Sequence, residues 1–132
     1  MMAGPGETLH YVVDIPPEQP PGLYWYHTHP HGESHQQALD GMSGAIVVEG
    51  IDRFVPETRA MVERVLVVRG RDIQQAADAA SLRRQVGIPD GRCGSAPAAP
   101  SERIMTVNGA VRPEIAIAPG ERQFWRIVNA GA

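Results

Sequence analysis

The sequence predicts an all-β fold. Three observations carry that expectation. Short runs rich in Val, Ile, Leu and aromatic residues recur along the chain. Pro and Gly pairs punctuate them, as turns require. Only one stretch, 72–86, has a loosely helical pattern, and a short helix is expected there. Taken in order, Thr8–Ile15 reads as a strand opened by Pro5-Gly6 and closed by Pro16-Pro17. Pro20-Pro21-Gly22 is a turn, and Leu23–His29 is a second strand that Pro30 ends. Gly41–Gly44 is a break before Ala45–Glu49, a short apolar strand bounded by Gly50. Arg64–Arg69 is the next strand. Gly87–Ser101 is a Gly/Pro/Ala/Ser loop. Ile104–Val107 is a strand ending at the turn pair Asn108-Gly109. Glu114–Ala118 alternates polar with apolar or small residues, and Pro119-Gly120 turns it. Gln123–Val128 is the last strand.

The chain has 132 residues, room for one small domain and too few for two complete ones. Hydrophobic residues are 42% and charged residues 20%, enough to bury a core. No apolar run approaches the ~20 residues of a membrane helix, so no membrane partner is expected. The net charge of −3, without blocks of like charge, argues against a nucleic-acid partner. All 12 basic residues are Arg, which excludes a Walker-type phosphate loop and a Schiff-base lysine. The single cysteine, Cys93, excludes an internal disulfide framework and reads as a free thiol in a loop. The first basic residue is Arg53, so no secretory signal is expected. Strands predicted close to both ends suggest a chain cut from something larger.

The least random feature is histidine placement. Of five histidines, four (His27, His29, His31 and His35) fall within nine positions, directly after Tyr24-Trp25-Tyr26. On a strand, alternation puts Trp25, His27 and His29 on one face and Tyr24, Tyr26 and Thr28 on the other. Two imidazoles at i and i+2 suit copper, zinc, iron or nickel, and this outweighs a reading as solvated edge histidines. The pair alone is a half-site, because transition metals usually take three or four protein ligands. His31 lies past the strand-ending proline and need not share the face. His10 fits a strand surface, and His35 a polar loop.

These residues resemble a known family. The stretch from Gly22 to Glu49 is similar to the second copper motif of the multicopper oxidases (laccases, bilirubin oxidases and cuprous oxidases). It supplies Trp25, Tyr26, His27, His29, His31, Gly32, Gln37, Gly41, Met42 and Gly44, then the apolar Ala45–Val48, without a gap. Pro5-Gly6-Glu7-Thr8 resembles the segment before that motif. Glu63–Asp72, Asn108-Gly109, Pro113, Pro119-Gly120-Glu121 and Trp125–Ala130 resemble the opening of the family's second domain.

The resemblance implies an incomplete Greek-key β-sandwich of the cupredoxin type. Residues 1–52 would be the C-terminal half of a first domain, 53–63 a linker, and 64–132 the N-terminal half of a second. It implies copper as cofactor, with His27 and His29 each binding one of the paired type 3 coppers of a trinuclear cluster. His31 would be positional, and Trp25 and Tyr26 would pack beside the cluster. In the complete enzyme, one-electron oxidation of a reducing substrate drives four-electron reduction of O2 to water. That substrate is undefined here; phenols, bilirubin-like pigments and cuprous ions all suit the family. The family is commonly periplasmic or secreted. The chain departs from the pattern in having no His-Trp-His-Gly and no His-Cys-His segment. Only two of the cluster's eight histidines are matched. Catalysis would therefore need missing domains of the same protein as partners, and half a sandwich is expected to self-associate through uncovered edges.

Two rival readings stand beside this one. One is a non-catalytic remnant with at most a weak metal site. The other is a cupin-like mononuclear metal protein, for which Gly22, His27, His29, Glu33 and Gly41 nearly fit, although no histidine follows His35 to complete the ligands. Glu33→Gln separates the cupin from the oxidase. Metal binding measured by titration calorimetry is expected to survive this change, whereas a cupin site would lose it.

Overall fold

Backbone hydrogen bonding divides the strands between two small sheets. The structure, a computed structural model, describes residues 3–4, 6–72, 81, 84–85, 87 and 103–131. In chain order the elements are β1 (Gly22–His27), α1 (Ser34–Leu39), β2 (Ser43–Val48), β3 (Val62–Asp72), β4 (Arg103–Val107) and β5 (Gln123–Asn129). Two 3-10 turns, Ile51–Arg53 and Pro56–Ala60, connect β2 to β3. The regular structure among the described residues is mostly strand, in two small sheets with little helix, in keeping with an incomplete cupredoxin-like β fold. No helix among them is long and apolar enough to cross a membrane.

The first sheet is the antiparallel pair β1–β2, in register from Gly22↔Val48 to His27↔Ser43. The second has the order β4-β3-β5, with β3 in the middle. β3 pairs antiparallel with β4, from Val68↔Val107 to Asp72↔Arg103. It pairs parallel with β5, from Val62↔Gln123 to Val68↔Asn129. The β4 exit is the expected Asn-Gly turn. Asn108 (φ 51°) and Gly109 (φ 81°) both take the left-handed backbone of a type I′ turn. Asn108 also fastens the turn to β3. Its Oδ1 accepts the Val67 N–H at 2.8 Å and its Nδ2 donates to Val65 O at 3.0 Å.

Three expectations need correction. Thr8–Ile15 forms no ladder, and Tyr11, Val12, Val13 and Ile15 are exposed. Its composition suits a strand, but β structure needs a second chain segment to receive its N–H and C=O groups, and among the described residues none pairs with it. The second strand stops at His27, two residues short of His29. Beyond it the Thr28 N–H reaches Met42 O, and Pro30 then has no N–H to give. His35 lies on a helix, α1, not in a polar loop. The helix predicted at 72–86 and the loop at 87–101, Cys93 included, lie for the most part outside the described residues.

Helix α1 is short and is stopped by Gly41. The Gly41 N–H donates to Ala38 O at 3.2 Å and the Met42 N–H to Gln37 O at 2.9 Å. This is a Schellman ending, and it places Gly41 at φ 108°, where a Cβ would be strained. Ala38 and Leu39, at its C-terminal end, are buried.

The buried apolar side chains among the described residues are few: Ala38, Leu39, Leu66 and Ala130. Polar groups do much of the remaining joining. Arg126 is buried and grips Glu63 with Nε–Oε1 at 2.7 Å and Nη2–Oε2 at 3.3 Å. Its guanidinium also lies 4.7 Å from the Phe124 ring centroid. Thr106, buried at 1% exposure, donates its hydroxyl to Arg69 O at 3.1 Å.

The turn ahead of β5 is closed by a carboxylate. The Ala118 N–H donates to Glu121 Oε2 at 2.7 Å, and Gln123 Nε2 donates to Oε1 at 2.7 Å. The Ala118 N–H, then the Gln123 amide, hold the Glu121 carboxyl below its ordinary value of 4.5. A depressed folded value means the ionised form is favoured by folding. This contribution is whole above about 4.5 and disappears as pH falls through the lower folded value. In an NMR pH titration Glu121 is expected to titrate below 4.5, and Glu121→Gln should flatten that part of the acid stability profile. Titration at or above 4.5 would contradict the capped turn.

Candidate metal centre

The site is built on β1 and the turn after it. Alternation along the strand sends Trp25 and His27 to the same side. Their rings stack nearly flat, with centroids 4.2 Å apart and planes 10° apart. The His29 ring continues the column, 5.9 Å from His27 and tilted by 49°. His31 follows at 6.0 Å from His29, edge-on at 88°. The structure thus brings His27 and His29 together and sets His31 beside them, although it lies past Pro30. All three imidazoles are exposed, as is Trp25. His10 and His35 are exposed and stand outside this column.

The other side of β1 holds the strand in place. Tyr24 donates its hydroxyl to Pro20 O at 2.9 Å. Tyr26 is the register partner of Gly44, and its ring lies against that glycine. A Cβ built on Gly44 would sit 2.7–2.8 Å from three atoms of the Tyr26 ring. Glycine is therefore required at 44 for a close approach, and at 41 for a backbone angle. Two glycines of one motif have different physical causes.

Sequence reasoning missed the group behind the histidine strand. Ser43, the register partner of His27, is buried. Both its carbonyl oxygen and its Oγ accept from Nη2 of Arg69, the latter at 3.0 Å. Arg69 belongs to β3, so this contact joins the two sheets. In the sequence Arg69 is an arginine at the end of an apolar run, and nothing there signals the reach of its side chain. Thr28, between the two histidines, keeps a buried Oγ1 without a partner.

Neutral imidazoles are suitable donors for copper, and His27 and His29 offer two on one side of the chain. Among the described residues no group of three or more His, Cys, Asp or Glu is placed to hold a metal ion. The donor chemistry therefore fits copper, and the donor number is that of a partial site. Glu33, the extra ligand a mononuclear site would need, accepts a hydrogen bond from Gln37 Nε2 at 2.9 Å.

Residues 1–52 match the family described as multicopper oxidase. The matched segment contains β1, α1 and β2. No curated protein and no solved structure matches the chain.

Gly44→Ala tests the packing behind the histidines. The added methyl must displace the Tyr26 ring, and destabilisation of about 1–3 kcal/mol is expected in urea unfolding. The Tyr26 ring signals should move in NMR spectra. A variant as stable as the parent, with Tyr26 unmoved, would contradict this packing.

Proposed function

We propose that this chain, whose residues 1–52 match the multicopper oxidase family, is a copper-binding portion of such an oxidase. His27 and His29 are its copper ligands, each giving one imidazole nitrogen to one of a pair of type 3 coppers. The observation that carries the reading is the adjacency of these two rings, 5.9 Å apart, within the matched segment. Residues 1–52 then form the C-terminal half of a first Greek-key cupredoxin domain, 53–63 a linker, and 64–132 the N-terminal half of a second. The remaining ligands come from other domains of the same protein, where O2 is the electron acceptor and a reducing substrate the donor.

Copper, when bound, supplies one-electron redox chemistry. The chain's own residues bind and orient. His27 and His29 must be neutral to donate a lone pair. Trp25 lies flat on the His27 ring and restricts its rotation about the Cβ–Cγ bond. The exposure of both rings leaves their edges open to ligands from elsewhere. A cupin-like reading draws less support, because Gly22 and Gly41 each miss its spacing by one, whereas the copper-oxidase motif is matched without a gap.

The test is a Cu(II) titration of the full chain by calorimetry and electron paramagnetic resonance. Two imidazoles should bind Cu(II) weakly, in preference to other divalent first-row ions. Nitrogen hyperfine structure is expected, without the intense blue of a copper thiolate. The His27→Ala, His29→Ala double variant should lose this binding by at least about tenfold, since first-sphere ligands matter no less than their supporting partners. Unchanged Cu(II) binding in the double variant would remove these residues as the site.

A further inference from the structure

We infer that Arg69 is a positioning residue for the histidine pair, acting from the second sheet through Ser43. This inference rests on the copper-site reading for its function, though not for its geometry. Arg69 sits on β3, and its side chain crosses to the first sheet. There Nη2 meets two acceptors of one residue, the carbonyl oxygen and Oγ of Ser43. Nη1 lies near Gly41, 3.6 Å from where a Cβ at that position would be. A Cβ at 41 would be in ordinary contact with the guanidinium, and its cost would be backbone strain at φ 108°.

Ser43 is where this grip is passed to the histidines. It opens β2 and is the ladder partner of His27, the last residue of β1. The preceding residue, Met42, accepts the Thr28 N–H through its carbonyl oxygen at 3.3 Å. The corner Gly41–Ser43 thus backs the backbone that carries His27 and leads to His29. Ser43 Oγ also lies 3.4 Å from Ala38 O, tying the same corner to the end of α1.

Arg69 is itself held from behind. Its carbonyl oxygen accepts the Thr106 hydroxyl, and Thr106 is its ladder partner on β4. Its Nε is buried and has no hydrogen-bond partner. A guanidinium kept at this corner with one nitrogen unsatisfied costs stability that a smaller apolar side chain would not. The geometry gives it a reason to be there, because Nη2 bridges from β3 to both acceptors of Ser43 at the start of β2. Orientation of ligands by hydrogen-bonded neighbours is a general feature of metal sites.

Two measurements on the full chain test this. The first is the NMR shift of the His27 ring protons without metal, which the stacked Trp25 indole moves upfield. Arg69→Ala should shift these signals toward free-histidine values, and Arg69→Lys should restore part of the difference. The second is Cu(II) affinity with the metal alone as probe. Arg69→Ala is expected to lower it by about tenfold, with Arg69→Lys intermediate. Should Arg69→Ala fail to fold, Ser43→Ala, which removes only the Oγ acceptor, must show the same changes at smaller size. A lowered Tm with His27 ring signals and Cu(II) affinity both unchanged would reduce Arg69 to a structural contact and overturn the inference. Loss of the ring shift in a chain whose Cu(II) binding ignores His27 and His29 would support the positioning while removing the copper-site reading.

Discussion

The period-two alternation of a pleated strand is the constraint on which this structure turns. β1 pairs with β2 over six residues, and that ladder fixes which side chains look which way. With Tyr26 opposite Gly44 and His27 opposite Ser43, a slip of one residue would exchange the Tyr and His faces. The imidazoles would then meet the close backbone approach that Tyr26 now occupies. Register is defended by shape, since only a residue without a Cβ at 44 admits the Tyr26 ring.

The turn after β1 obeys a second constraint. Pro30 cannot extend the ladder, so the chain leaves the sheet and folds into α1. Ser34 Oγ and the Ser34 N–H both reach Pro30 O, at 2.8 and 3.1 Å. At the far end Gly41 turns the chain back, and Met42 and Ser43 return it to β1. The interval between His31 and Gly44 is thus one helical turn-and-a-half closed by a Schellman ending. Its length decides that β2 arrives in register with β1.

Much of this was legible in the sequence. Strand content, the Asn108-Gly109 turn and the sharing of one face by Trp25 and His27 follow from composition, turn chemistry and alternation. The misses have physical causes. Thr8–Ile15 has the apolar content of a strand, yet pairing depends on a neighbour that local sequence does not encode. α1 was hidden because its six residues are too few to show a period. Gly41 after Ala38-Leu39 was the available signal, as a helix stop. His31 joins the ring column only because the backbone turns after Pro30, which strand alternation does not describe. The link from Arg69 to Ser43 spans 26 residues and two sheets, and no local pattern announces such a contact.

Exposure sets the final problem for the site. A buried ligand is held by the packing around it, but His27 and His29 face solvent, and few apolar side chains are buried among the described residues. Their orientation must come from specific contacts. Trp25 acts on the ring of His27 from one side by stacking. Tyr26 and Gly44 act on the backbone from the opposite face. Arg69 acts on the partner strand through Ser43. These three contacts act on different degrees of freedom: ring rotation, strand position and strand pairing. Restricting all three lowers the conformational entropy a metal would otherwise have to remove on binding. An open pair of imidazoles can in this way remain accessible to ligands from another domain and still be oriented.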